Sequence, residues 1–313
     1  MDSRWLLCSL GHVCGSGYTL SGEQRAALHT SLILLGKNYK FTQVLFWGKV
    51  LGLKEDYFIA QGRGDDEMKG KTFLYSFNCM EWHLLPPADD LTVSEVSRAA
   101  SGRFTGNPSH EYMEPRGEAE GEAKGEAKGE AKGEAEGEAK GEAEGEGEGE
   151  ASEEEEEAAA EAAEAAAPPI KVTEERRLAV AVHLIDEEAS VVPRGAFTRA
   201  PHGRVEANRS FQGLSHADAG KLDNFLHFAK PKKVKQFFQE LADLDPSIDF
   251  LDSLSDDFPK GQWSLQWENG SSVCVIRSLL WLGMTFYHVP MTPQHGHVYM
   301  GDGCKNLNMA FML

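Results

Sequence analysis

The features that would give a chain of this length a ready chemistry are missing. The five cysteines, Cys8, Cys14, Cys79, Cys274 and Cys304, are odd in number, and no two stand at the two-residue spacing of a zinc ribbon or a redox dithiol. Reduced, structural thiols are the expectation. No apolar run approaches the roughly 18 residues of a membrane span, and position 2 is Asp rather than the Gly that myristoylation needs. The run from Trp5 to Leu10 is short, Asp2 offsets Arg4, and Gly11 and His12 interrupt it, so it makes a poor secretory signal. Positive charge is also scarce, with 31 Lys and Arg against 50 Asp and Glu. That deficit is local, because residues 117–166 hold 20 Glu and 4 Lys, which is −16 of the formal −19 and leaves −3 elsewhere. The acidity describes an insert and says little about the folded body. About 260 residues remain outside it, enough for a real hydrophobic core.

From Gly117 the chain repeats Gly-Glu-Ala-Lys or Gly-Glu-Ala-Glu. A Gly in every turn costs about 1 kcal/mol relative to Ala each time, and no apolar stripe offsets the chain entropy, so this stretch is expected to be disordered. From Ser152 the composition turns to Glu and then Ala, closed by Pro168-Pro169, which predicts a short fraying helix with Ser152 as its cap. One reading of the tract is a binding tail for a basic partner or a spacer. The other is a slipped repeat tolerated in a surface loop, where each doubling of length costs only about 0.6 kcal/mol.

Before the tract, Ser21 to Gln24 has the Ser-x-x-Gln form of a capping box, and Ala27, Leu28, Ser31, Leu32 and Leu35 share one helical face up to Gly36. Residues 41–53, 57–61 and 71–77 are rich in β-branched and aromatic residues, with a turn at Gly62 to Asp65, and predict an antiparallel meander. The chain is expected to leave that sheet at Trp82 and form a short helix over 91–100. Gly64 to Thr72 is a near miss for a phosphate-binding loop: five residues separate its glycines where that motif has four, three of them are acidic, and a strand follows. Gly15-Ser16-Gly17 lacks the third glycine and the preceding strand of a dinucleotide fingerprint.

After the tract, residues 172–185 predict a helix with Thr173 as cap and Leu178, Val182 and Ile185 on one face. Val191-Val192-Pro193 reads as a strand and Arg194-Gly195-Ala196 as a turn. Ser215 caps a further helix whose stripe is Ala219, Leu222 and Leu226. Lys230, Lys232, Lys233 and Lys235 are too short a cluster, in no recognised fold, to predict nucleic-acid binding. A calcium loop from Asp243 would need Gly where Ile248 stands and Glu where Leu254 stands. The aspartates of this region are better read as caps and solvated face.

The strongest local pattern alternates Trp263, Leu265 and Trp267 with Ser264 and Gln266, turns at Asn269-Gly270 and returns over 271–278. A two-residue turn would place Glu268 opposite Ser271, Leu265 opposite Cys274 and Trp263 opposite Ile276, making Cys274 a core thiol. Residues 279–289 and 297–300 add two strands. His288, His295, His297 and Cys304 are the one set of zinc-ligand types in this region, but their spacing is not that of a site. The fold class is therefore α+β: antiparallel meanders with packed helices, over 1–116 and 170–313, interrupted by the insert at 117–169. The two flanking parts are expected to form one globular unit.

The segments Val44 to Leu53, Asp56 to Gly62, Val192 to Ala196, Phe211 to Ser215, Leu244 to Phe250, Arg277 to Trp281 and Phe311 to Leu313 carry a resemblance. On them, from about Ser21 to the last residue, the sequence resembles the radial spoke head family of motile cilia and flagella. The resemblance implies a noncatalytic axonemal subunit, cytoplasmic and cytoskeletal, with no catalytic, cofactor-binding or metal-ligating residues and no cofactor. It implies assembly with spoke head proteins 4 and 6 and other head subunits, and contact with the central pair projections that shape ciliary beating. Nucleic acid and membrane are not among the expected partners. Leu282 stands where relatives usually have Pro, and the repeat exceeds their acidic linker. Trp47, Trp263, Trp267 and Trp281 are the expected anchors, in an interface or in the core. Two competing readings stay open beside this one: an acidic binding module acting through residues 117–166, and a thiol enzyme built on Cys79, Cys274 or Cys304.

Overall fold

A computed structural model describes residues 1–13, 19–113, 171–232, 245 and 247–311. The repeat tract, the helix expected after Ser152, Gly15-Ser16-Gly17, Cys14, Lys233, Lys235 and Asp243 lie outside those residues. Met1–Tyr112 and Val172–Leu313 form one compact unit; of the other, Met113–Lys171, only the two end residues are described.

Helix α1 (Leu6–His12) is followed by α2 (Gly22–Tyr39), which begins as the capping box dictates: Gln24 N–H donates to Ser21 Oγ at 3.1 Å, and Ser21 N–H donates to Gln24 Oε1 at 3.0 Å. Its stripe of Leu28, Ser31, Leu32 and Leu35 is buried. The helix does not stop at Gly36; it ends at Lys40, in the left-handed region at φ 56°. Gly36 serves close packing instead, since a Cβ there would stand 3.2 Å from Val44 Cγ2 on the first strand.

Four antiparallel strands follow, β1 (Gln43–Val50), β2 (Tyr57–Arg63), β3 (Thr72–Ser76) and β4 (His83–Leu84). The chain was expected to leave the sheet at Trp82, but His83 and Leu84 first pair with Tyr75 and Leu74. Pro86 and Pro87 then prevent further pairing. After α3 (Asp90–Ala99), strands β5 (Glu111–Met113) and β6 (Lys171–Thr173) are hydrogen-bonded neighbours. The chain beyond is α4 (Glu174–Ala189), β7 (Val191–Pro193), β8 (Phe197–Arg199), β9 (Val205–Ala207), α5 (His216–Ala219) and β10 (Phe225–His227), with β7 pairing β10 and β8 pairing β9. Ser215 does cap α5, through Asp218 N–H at 3.1 Å. The helix stops at Gly220, however, so Leu222 falls in a 3-10 turn and Leu226 in β10 rather than on one helical stripe.

Strands β11 (Trp263–Glu268), β12 (Val273–Ser278), β13 (Met284–His288) and β14 (His295–Gly301) form the second meander. The first hairpin differs in register from the sequence expectation: Leu265 faces Ile276, Trp267 faces Cys274 and Trp263 faces Ser278. Its loop is longer than Asn-Gly alone, because Asn269, Gly270 and Ser271 all take positive φ and Ser272 Oγ closes it by donating to Asn269 O. The slip is by two residues, so every side chain keeps its face, and Cys274 is in the core as expected.

The two meanders join into one sheet in the order β11-β12-β13-β14-β1-β2-β3-β4, through a parallel pairing of β14 with β1. The join is tight, since a Cβ on Gly48 would lie 2.2 Å from Tyr299 O. A bulge between Phe46 and Gly48 on β1 leaves Trp47 as the extra residue. Phe46 thereby faces the layer of α1 and α2, with Leu28, Leu32, Phe58, Val275 and Val298. Trp47 faces the opposite core, with Leu178, Val182 and Ile185 of α4 and with Ile59, Phe286 and Tyr299. Both faces of the sheet are thus covered by helices of the same chain, which is the α+β architecture expected.

Candidate assembly surface and buried polar network

The bulge that turns Trp47 inward also aims its indole N–H at Asp186 Oδ1, 3.1 Å away on α4. Asp186 lies four residues after Val182 and one after Ile185, on the buried stripe of that helix, where a carboxylate needs partners. Gln61 Nε2 and Ser190 Oγ each donate to Oδ1 at 3.0 Å, and Lys71 Nζ donates to Oδ2 at 2.6 Å while lying over the Phe228 ring. Burial is the largest effect and would raise this carboxyl, but the Lys71 ammonium, together with Arg63 and the other groups around it, holds Asp186 well below the usual range.

A second carboxylate, Glu174, opens α4. Tyr57 Oη (2.6 Å) and Gly106 N–H (2.7 Å) donate to Oε1, and Thr105 Oγ1 (2.6 Å), Thr105 N–H (2.8 Å) and Tyr112 Oη (2.7 Å) donate to Oε2. Burial pushes its pKa up, and this ring of donors, Thr105 and Tyr112 foremost, pulls it down to about 2. The expected cap Thr173 makes no side-chain bond. Instead the first amides of α4 are taken by His110 O and Pro108 O, at 2.8 and 3.1 Å. Tyr112 and Glu174 lie in or beside the paired strands β5 and β6, so this cluster fixes the two points between which residues 114–170 run.

Of the four expected tryptophan anchors, Trp47, Trp263 and Trp281 are buried in the core. Trp281 Nε1 donates to Glu188 Oε2 at 2.8 Å, and Lys305 Nζ donates to Glu188 Oε1 and sits over the indole. Trp263 Nε1 donates to Asp257 Oδ2 at 2.7 Å, whose carboxylate also meets His227 Nε2. Trp267 is only half-buried and stacks on His216. The structure therefore disperses these residues, and the shared polar centres are Asp186 and Glu174, which the sequence analysis did not single out. The available signal was an acidic residue on an apolar helical stripe.

Burial pushes the thiols of Cys79 and Cys274 up to about 12, and Cys274 Sγ donates to Ala219 O. Cys304 Sγ donates to Gly102 O at 3.2 Å and is also raised by burial. None of these is an activated nucleophile. His288 and His295 pair across β13 and β14, but both ring nitrogens of His288 and one of His295 are already used: His288 Nε2 accepts from Leu214 N–H at 3.1 Å and its Nδ1 donates to Gln294 O, while His295 Nδ1 donates to Pro293 O. Among the described residues no three His, Cys, Asp or Glu side chains come together to hold a metal, and no helix is long and apolar enough to cross a membrane. Asp245 accepts from Ser247 N–H and Oγ as a local cap, whereas Asp249 forms an ion pair with Arg194. Gly64 to Thr72 leads into β3, and Asp66 caps its loop through the Met68 and Lys69 amides.

The family model for radial spokehead-like protein matches residues 12–189, from the end of α1 through α4. The chain belongs to the radial spokehead-like protein family. The whole chain also aligns with whole relatives, each named radial spoke head protein 9 homolog. It is 49% identical to that of Danio rerio over 316 residues, and 42% identical to those of Bos taurus and Homo sapiens over 318 residues, covering all of both chains in each case. In this radial spokehead-like chain, the matched span carries Trp47, Lys71, Glu174 and Asp186, the residues that tie its two halves together.

Proposed function

We propose that this chain is a noncatalytic structural subunit of the radial spoke head in the axoneme of motile cilia or flagella. It assembles there with spoke head proteins 4 and 6 and other head subunits, and the assembled head meets the central pair projections and regulates beating. The observation that carries this reading is the full-length similarity to relatives named radial spoke head protein 9 homolog. A noncatalytic role is supported by the chemistry of the described groups: the buried carboxylates are saturated by internal donors, and the buried thiols are raised rather than activated. Of the four expected anchors, Trp267, half-buried beside His216, is the one best placed to meet a partner; the other three act by holding the surface in shape.

The test is to express a tagged copy in ciliated cells that lack their own version and to fractionate the axonemes. The expected result is recovery with the spokes, restored beating, and loss of the tagged chain from axonemes without proteins 4 and 6. Absence from axonemes, or retention that does not depend on the other head proteins, would refute the proposal.

A further inference from the structure

The two ends of the eight-stranded sheet are built differently. One end is β4, only His83–Leu84, a short edge of the kind that blocks pairing with other chains. The other is β11, six residues long, with no Pro, no Lys and no register shift against β12. Leu279 N–H donates to Gln262 O at 2.8 Å, which sets the phase of the ladder. Ser264, Gln266 and Glu268 therefore bond to β12, and Trp263, Leu265 and Trp267 point their N–H and C=O groups away from it. Among the described residues those outward groups have no backbone partner.

Leu265 is the midpoint of this edge, flanked by Trp263 on one side and Trp267 on the other. A second copy running antiparallel about a two-fold axis at Leu265 would set Leu265 against Leu265 and Trp263 against Trp267, each pair exchanging both hydrogen bonds. On the opposite face Ser264 would meet Gln266, and Glu268 would meet Gln262 rather than a second Glu. No like charges face each other, and Arg277 already engages Gln266 and Glu268 of its own chain. Leu265 and Trp267 are only partly buried against their own core, so apolar surface remains to be covered.

We propose that β11 is a self-association strand: two copies of this chain join edge to edge about Leu265 into one continuous sheet. This goes beyond the spoke head reading and does not depend on it. The experiment uses the purified full-length chain. Light scattering over a concentration series should give twice the 34.4 kDa protomer mass. Leu265→Pro removes an outward N–H without touching the β12 ladder, and is expected to yield a monomer with unchanged circular dichroism. Leu265→Cys should form an interchain disulfide on mild oxidation beyond the wild-type background, whereas Gln266→Cys, off the axis and on the other face, should not. If Leu265→Pro fails to fold, the cysteine pair decides. A monomer at every concentration, or a dimer in which Leu265→Cys cross-links no better than Gln266→Cys, would overturn the proposal. So would a chain that pairs its β11 amides, read by hydrogen exchange, only with a different spoke subunit.

Discussion

At Asp186 one carboxylate takes donors from β1, β2, the approach to β3 and the end of its own helix. Removing one partner of a buried pair leaves the other charge uncompensated, which typically costs about 3–5 kcal/mol. Asp186→Asn should therefore lower unfolding stability by that order in guanidinium titrations, and adding Lys71→Met should recover much of it. A loss below about 1 kcal/mol for the single variant would mean that Lys71 finds water instead. Acid sensitivity belongs to the same scale. Burial lowers His288 from 6.5 to about 4, so between those values the unfolded chain binds more protons than the folded one. The stability from neutral His288 is complete above 6.5 and is lost as pH falls toward 4. Glu174, lowered from 4.5 to about 2, adds a second loss between those values. Melting temperature should fall between about pH 7 and pH 4, and less steeply in His288→Asn; a flat profile would contradict this.

Much of the secondary structure was legible because its signals are local. The Ser21 capping box, the stripe of α4, the Arg194-Gly195-Ala196 turn and the β11–β12 hairpin each depend on neighbours in sequence. Where the reading failed, the deciding atom lay elsewhere in the chain. Asn269-Gly270 signals a turn but not that Ser271 also turns left-handed, and Gly36 looks like a helix end unless Val44 is known to lie against it. The fate of the tryptophans was hidden for the same reason, since the indole partners of Trp47 and Trp281 lie on α4. Gly48 is the element-scale test. Its missing Cβ admits Tyr299 O, so Gly48→Ala should force β1 and β14 apart and destabilise by at least about 1–3 kcal/mol. A neutral substitution would show that the junction can shift without loss.

Over the whole molecule, the feature least legible in the sequence is the parallel union of β1 with β14, because no local pattern reports which of two meanders lies beside the other. That union makes the two sides of the acidic tract interdependent, while the paired strands β5 and β6 and the Glu174 cluster hold its ends together. We expect a chain lacking residues 117–166 to melt within a few degrees of the full-length protein, because loop closure changes by only about 0.6 kcal/mol per doubling of length. A collapse in melting temperature would assign the tract a structural role.

The measurement that bears most directly on the spoke head assignment is a cross-linking map of intact spokes carrying this chain. The expected result is a set of reproducible links from surfaces near Trp267 and the α1–α2 layer to spoke head proteins 4 and 6. Links confined to proteins outside the spoke, or none at all in spokes whose other head subunits cross-link normally, would contradict it.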